Sequence, residues 1–169
     1  MYITRLARVD DARGIAEVQM KSWTDRGLSI LDASELSDIA ESWAHSITHQ
    51  QSEGRILVVE WNGTVIGFAA VVNTGDPQLF ALTALEVHPQ ERRKQVGSRL
   101  INASSDVARG FGANGLQAWI GDSETPAILL LEASGWRRTG AERVISSESH
   151  KYEHRTEFEL QTYFDIETK

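Results

Sequence analysis

The sequence predicts an α/β protein of the α+β kind, with a central mixed, mostly antiparallel sheet flanked by about four helices. Three observations predict it. Apolar residues recur at helical spacing in some segments and form short alternating or continuous runs in others. Asn62-Gly63 joins two of those runs, and this dipeptide is the usual chemistry of a two-residue hairpin turn. The segments also follow in the order strand, two helices, three strands, helix, strand, helix, two strands, which fits neither a bundle nor a regular βαβ alternation.

Each element has its own signal. Ile3 to Val9 alternates and reads as a first strand. Asp10 and Asp11 stand where a helix N-cap belongs, and Ile15, Val18, Ser22 and Trp23 follow at helical spacing, so a helix is expected from Asp11 to Thr24. Leu36, Ile39, Ala40, Trp43 and Ile47 mark a second helix from Ser34 to about His49. Ile56 to Trp61 and Thr64 to Val72 are the two arms of the hairpin. Leu79 to Val87 is a further strand, closed by Pro89. Val96, Leu100, Ile101, Ala103, Val107 and Phe111 share one helical face, which predicts a helix from Val96 to about Arg109. Leu116 to Ile120 reads as a short strand and Pro126 to Ser134 as a short helix stopped by Gly135. Trp136 to Ile145 and Tyr152 to Leu160 read as a closing strand pair.

The chain has 169 residues, 41% of them apolar and 24% charged, which fits one globular domain over residues 1–169. It contains no cysteine, which excludes disulfides, thiolate metal sites and a cysteine nucleophile. The formal net charge of −7 disfavours non-specific nucleic-acid binding and suits a cationic small partner. No apolar run is long enough to cross a bilayer, and the first residues turn polar at once, so a cytoplasmic protein without membrane association is expected.

The segment richest in chemistry runs from Leu82 to Leu100. An apolar strand, Leu82-Thr83-Ala84-Leu85-Glu86-Val87, leads through His88-Pro89 into a basic loop, Arg92-Arg93-Lys94-Gln95. An amphipathic helix opens at Val96-Gly97-Ser98. The first turn of a helix carries N–H groups with no intrahelical acceptor, and the helix dipole adds partial positive charge there. Arg92, Arg93 and Lys94 add full charges beside it, and Gly97 removes a side chain from the approach. In a chain of net charge −7, such a cluster points to an anionic ligand. The competing reading is a solvated basic turn that happens to precede a helix.

Three segments together resemble the GNAT superfamily of N-acetyltransferases. They are Val87-His88-Pro89 with Arg92-x-x-Gln95-x-Gly97, the hairpin Trp61-Asn62-Gly63-Thr64-Val65-Ile66-Gly67-Phe68-Ala69, and Leu130-Leu131-Glu132-Ala133-Ser134-Gly135-Trp136. The resemblance covers essentially the whole chain. It departs from the family at Gln95, where the loop has its first glycine, and at Leu131, where many relatives have a tyrosine thought to protonate the departing thiolate.

The resemblance implies an acetyl-CoA-dependent acyltransferase without a metal, in which an amine attacks the thioester directly. Leu85, Val87, Arg92, Arg93, Lys94, Gln95, Val96, Gly97, Ser98, Glu124 and Leu131 would contact the coenzyme. The Val87 N–H would donate to the thioester oxygen. Glu86, a charged residue inside an apolar strand, is the first candidate for the base that accepts a proton from the amine. Its competing reading is a side chain that points away and pairs with an arginine. Asp122 and Glu124 are weaker candidates. Trp23 and Trp43, with Asp25, Asp32, Glu35 and Asp38, fall by resemblance near the acceptor side, where an aromatic and acidic lining would suit a cation; otherwise they are core and surface. The expected partners are a small-molecule or peptide amine and, as an open choice, a second copy of the chain.

Two other patterns are set aside. Gly110-Phe111-Gly112-Ala113-Asn114-Gly115 matches G-x-G-x-x-G but follows a helix and precedes a strand, the reverse of the dinucleotide arrangement. His45 with His49, and His150 with His154, have helical spacing but no evident third ligand. A non-catalytic acyl-CoA-binding or interaction module on the same fold stands as the alternative to an enzyme.

Overall fold

The computed structural model describes residues 1–27, 32–50, 54–145 and 155–164. In chain order the elements are β1 (Tyr2–Leu6), α1 (Ala12–Asp25), α2 (Ala33–Thr48), β2 (Gly54–Trp61), β3 (Thr64–Asn73), β4 (Leu79–Val87), α3 (Val96–Gly110), β5 (Gly115–Gly121), α4 (Thr125–Ala133), β6 (Arg137–Ile145) and β7 (Arg155–Tyr163). The strands form one sheet in the order β1-β2-β3-β4-β5-β7-β6. Every neighbouring pair is antiparallel except β4 and β5, which are parallel and joined through α3.

The sheet separates two apolar layers. Leu57, Val59, Ile66, Phe80, Leu82, Leu116, Leu131 and Leu160 pack with Val96, Leu100 and Ile101 of α3. Ile56, Val58, Phe68 and Ala70 pack on the other face with Ile15 and Val18 of α1 and Ile47 of α2. Strands covered on both faces are apolar at successive positions, which is why Ile56 to Val59 is a continuous run, all of it buried. The hairpin turn between β2 and β3 places Asn62 at φ 49° and Gly63 at φ 82°, the paired left-handed conformations that Asn-Gly accommodates.

The mixed sheet and four helices match the expected fold class, with differences at several element ends. β1 stops at Leu6, and a 3₁₀ turn over Val9–Asp11 precedes α1. The last strand continues to Tyr163, three residues past the expected Leu160, while residues 152–154 lie outside the described ones. Asp11 precedes α1 without capping it through its side chain. That carboxylate instead accepts two bonds from the Arg5 guanidinium, at 2.7 and 2.9 Å, and one from the Arg8 N–H at 2.7 Å. Arg5 also donates to Glu60 on the neighbouring strand, at 3.0 and 2.6 Å.

Hydrogen bonding from Arg5 holds the Asp11 carboxyl below its ordinary value, against the opposing effect of burial, and the Arg8 N–H adds to the lowering. A group lowered in this way stabilises the fold above its unfolded pKa, about 3.9, and the contribution fades as pH falls through the folded value. Asp11→Asn is therefore expected to cost about 1–3 kcal/mol near neutral pH. Urea midpoints of parent and variant should converge once the pH falls below the lowered folded value. A gap that persists there would assign the loss to packing.

Candidate active site: a parting between two parallel strands

β4 and β5 pair at Leu79–Gly115, Phe80–Leu116 and Ala81–Gln117 and then part. On the other side of β4, the register with β3 jumps between Ala70–Ala84 and Val71–Leu82, leaving Thr83 as an extra residue. A bulge of this kind bends and twists its strand, and it falls just where β4 leaves β5. The consequence is visible in burial. Ala84 to His88 are half-exposed although their strand lies mid-sheet, because one side has no neighbour.

Backbone direction in this stretch follows from alternation. The His88 N–H donates to the Ile66 carbonyl of β3 at 2.8 Å. Successive N–H groups of a strand point to opposite sides, so the N–H groups of Val87 and Leu85 face the gap. Their side chains pack toward α3, with Leu85 and Val87 both against the core that α3 covers. Glu86 takes the opposite face, under α1.

The loop after β4 is shaped by two left-handed residues. A 3₁₀ turn spans Pro89–Glu91, then Arg93 and Gln95 both adopt φ 64°. Gln95 is the N-cap of α3, and the Arg99 N–H is bonded to its carbonyl at 3.1 Å. The N–H groups of Val96, Gly97 and Ser98 precede the first such bond and have no acceptor within the helix. Gln95 is exposed and holds a conformation that glycine adopts without cost. Gln95→Gly is expected to leave stability within about 1 kcal/mol of the parent, or to raise it. A larger loss in a urea melt would show that the glutamine side chain makes a contact outweighing its strain.

The cations of the loop are engaged on the surface. Arg92 Nη1 lies 2.6 Å from Asp25 of α1, and Nη2 is 3.4 Å from Ser22 Oγ. Lys94 pairs with Glu91 at 3.1 Å, while Arg93 is exposed. Exposed pairs of this sort contribute little, so an arriving anion can take over these cations at small cost. Gly97 serves a purpose that the sequence did not reveal. A Cβ there would come within 2.6 Å of Leu130 Cδ2, so the glycine lets α4 lie close over the first turn of α3. His88, at the start of the loop, accepts the Gln90 N–H on Nδ1 at 3.2 Å. Burial, reinforced by Lys21 and Arg92 and opposed by Glu91, holds its pKa below the ordinary value.

Glu86 is the best-connected side chain of the region. One oxygen accepts Ser22 Oγ–H at 2.6 Å; the other accepts Trp23 Nε1–H at 3.2 Å and Arg26 Nη2–H at 2.8 Å. Arg26 also donates to Glu124 at 3.0 Å, and Glu124 accepts the Gly121 N–H at 3.1 Å. The structure thus gathers Glu86, Glu124, Asp25, Trp23 and Arg92 around the end of α1. Of the remaining expected acceptor-side residues, Trp43 packs edge-on against Phe68 in the core and donates to Gln19. Asp32 and Glu35 form a capping box at the start of α2, and Asp38 and Asp122 are exposed. Leu131 is wholly buried in the α3-side core, whereas Leu130 leans over Gly97.

Sequence reasoning passed over Arg26. Its only local signal was a cation at the end of a helix, which reads as a dipole partner. The set-aside patterns fall elsewhere. Gly110 ends α3 and Gly112, at φ 85°, turns the chain into β5. His45 and His49 stack on each other at 4.1 Å on the exposed side of α2, and His150 and His154 lie outside the described residues. A concavity of about 520 Å³ lined by Glu132, Gly135, Trp136, Arg137 and Arg138 lies outside the gap and contains no expected site residue. Among the described residues no cluster of His, Asp and Glu could hold a metal ion, and no helix is long and apolar enough to cross a membrane.

A sheet that parts between two parallel strands, with a helix N-terminus and a basic loop at one end of the parting, defines an α/β protein shaped for an extended, anionic ligand. The chain belongs to the acetyltransferase (GNAT) family, whose model matches residues 15–136. Its fold is similar to that of yncA from Salmonella typhimurium, solved with acetyl-CoA, at 20% identity and a TM-score of 0.74 over 100% of this chain and 97% of the other. It is similar to the PaiA N-acetyltransferase of Thermoplasma acidophilum in complex with coenzyme A, at 15% identity and a TM-score of 0.73 over 97% and 99% of the two chains. The ribosomal-protein-alanine N-acetyltransferase of Brucella melitensis gives 17% identity and a TM-score of 0.72 over 96% and 99%. No curated protein sequence matches the chain.

Proposed function

We propose that the protein is a cytoplasmic N-acetyltransferase that moves the acetyl group of acetyl-CoA to a primary amine by direct attack in a ternary complex. The observation that carries this reading is the parting of β4 from β5 beside the first turn of α3. It supplies two fitting surfaces at once: strand edges for an amide-bearing arm and free N–H groups for a pyrophosphate. Acetyl-CoA would bring an activated acyl group and a thiolate leaving group.

The roles of the chain's own residues follow from their directions. The N–H groups of Val96, Gly97 and Ser98, with Arg92, Arg93, Lys94 and the backbone at Gln95, hold the pyrophosphate. Leu85 offers its backbone to the arm, and Leu130 covers the loop from above. The Val87 N–H donates to the thioester oxygen, where negative charge grows during attack. Glu86, on the α1 side of the same strand, receives the amine proton directly or through a water. Asp25, Glu86 and Glu124, gathered beside Trp23 around this point, suit a cationic acceptor.

A non-catalytic acyl-CoA-binding module is the second reading, favoured by one observation. The Glu86 carboxylate is already engaged by Ser22, Trp23 and Arg26. Release of free CoA thiol separates the readings, and the absence of cysteine makes that signal clean. The panel comprises a free amino acid, a polyamine, an aminoglycoside and a peptide with N-terminal alanine. Acetyl-CoA-dependent thiol release with at least one amine is expected. Coenzyme binding with no release from any amine would favour the module. Replacing Arg92 and Lys94 together by alanine should weaken acetyl-CoA about tenfold and flatten its salt dependence. Unchanged affinity would place the pyrophosphate elsewhere.

A further inference from the structure

Arg26 stands at the C-terminus of α1, where the helix dipole favours a cation. Its two terminal nitrogens serve opposite limbs of the parted sheet. Nη2 donates to Glu86 on β4 at 2.8 Å, and Nη1 donates to Glu124, the N-cap of α4, at 3.0 Å. Glu124 in turn accepts the N–H of Gly121, the last residue of β5, at 3.1 Å. Backbone pairing between β4 and β5 ends at Ala81 and Gln117. Beyond that point one guanidinium ties the two limbs together on the α1 face.

The arrangement is costly for a merely structural contact. Arg26 Nε is buried and has no hydrogen-bond partner among the described residues. An orphaned buried donor destabilises a fold, and a part-buried ion network is weak support for stability. What the network does achieve is geometric. A planar guanidinium with diverging donors fixes the spacing of two carboxylates in a way that a lysine ammonium cannot.

We infer that Arg26 is a positioning residue: it sets the width of the gap between β4 and β5 and holds the Glu86 carboxylate in its orientation on the α1 face. The inference rests on the reading of that gap as the acetyl-CoA site. It predicts that one side chain on α1 governs both coenzyme affinity and turnover, although α1 supplies none of the expected coenzyme contacts.

The test uses the full chain with Arg26→Ala, Arg26→Lys, Glu124→Ala, Glu86→Gln and the Arg26→Ala/Glu86→Gln double variant. Acetyl-CoA affinity is measured by calorimetry, turnover by thiol release on the amine panel, and folding by thermal melts. Arg26→Ala should weaken acetyl-CoA about tenfold and lower kcat on the order of 10²-fold. Arg26→Lys should recover only part of each, since it reaches one carboxylate at a time. Glu124→Ala, which leaves the Arg26–Glu86 pair intact, should weaken acetyl-CoA several-fold with a smaller effect on kcat. In kcat the double variant should be no slower than Glu86→Gln, because on the chemical step both changes act through one carboxylate, while its acetyl-CoA affinity should fall as in Arg26→Ala. Arg26→Ala within twofold of the parent in both affinity and kcat would overturn the inference. Should that variant not fold, unchanged affinity in Glu124→Ala overturns it instead. If no amine is accepted, the affinities decide alone. If Glu86→Gln leaves turnover intact, it is the assignment of Glu86 as base that fails, and the affinities still judge the tie.

Discussion

Glu86→Gln is expected to lower kcat/KM on any accepted amine by about 10²-fold, the loss that removal of a positioned base brings. The amide keeps the shape of the carboxylate: its oxygen can still accept from Trp23 and Arg26 while its NH2 donates to Ser22 Oγ, so the fold should persist. Only the charge that faces Arg26 is lost, and Arg26 retains Glu124. The discriminating comparison sets steady-state rates beside acetyl-CoA affinity for the same variant. A fall in kcat with affinity preserved assigns Glu86 to the chemical step. An unchanged rate would make the carboxylate an anchor for Arg26 and hand proton removal to water.

Leu131→Tyr is expected to cost about 1–3 kcal/mol of stability without raising turnover. Leu131 has no exposed surface and packs in the layer that holds Leu100, Leu116 and Leu160. A phenol there adds volume to a filled region and buries a hydroxyl that needs a partner. For a chain of this size, that is a fall of several degrees in melting temperature. A thiol is acidic enough to leave without a strong proton donor, so a leucine at this position is compatible with turnover. An intact melt together with a faster kcat would instead put position 131 beside the thioester.

The fold was legible because its strongest local signals are also its organising ones. Asn62-Gly63 fixes the β2–β3 hairpin, and the apolar face of Val96 to Phe111 fixes α3. The parting between β4 and β5 left only indirect traces. It coincides with a mismatch of register at Thr83 between β3 and β4, strands whose sequences each look regular. The insertion of β7 between β5 and β6 is a long-range pairing that periodicity cannot encode. Side-chain roles were harder still. Asp32 and Glu35 read as acids near a binding wall or as surface carboxylates, whereas in the fold they form the cap of α2. Gly97 read as room for a ligand, and nothing in the sequence showed that its missing Cβ also leaves room for Leu130. Arg26 was invisible because its partners lie 60 and 98 residues away.

The parting of β4 from β5 also leaves a pair of interior sheet edges. An exposed strand edge invites pairing with another chain, and proteins guard such edges with charges, bulges or covering elements. Here the edges are guarded by their setting. They diverge, so a flat strand that docks on one cannot stay in register with the other. Thr83 bends one of them. Leu130 of α4 leans over the first turn of α3 at one boundary, and Arg26 joins the limbs at another. Only a single slender chain with its own amide groups could satisfy both edges together. The features proposed to admit the amide-bearing arm of acetyl-CoA are therefore the same ones that would turn away a passing polypeptide.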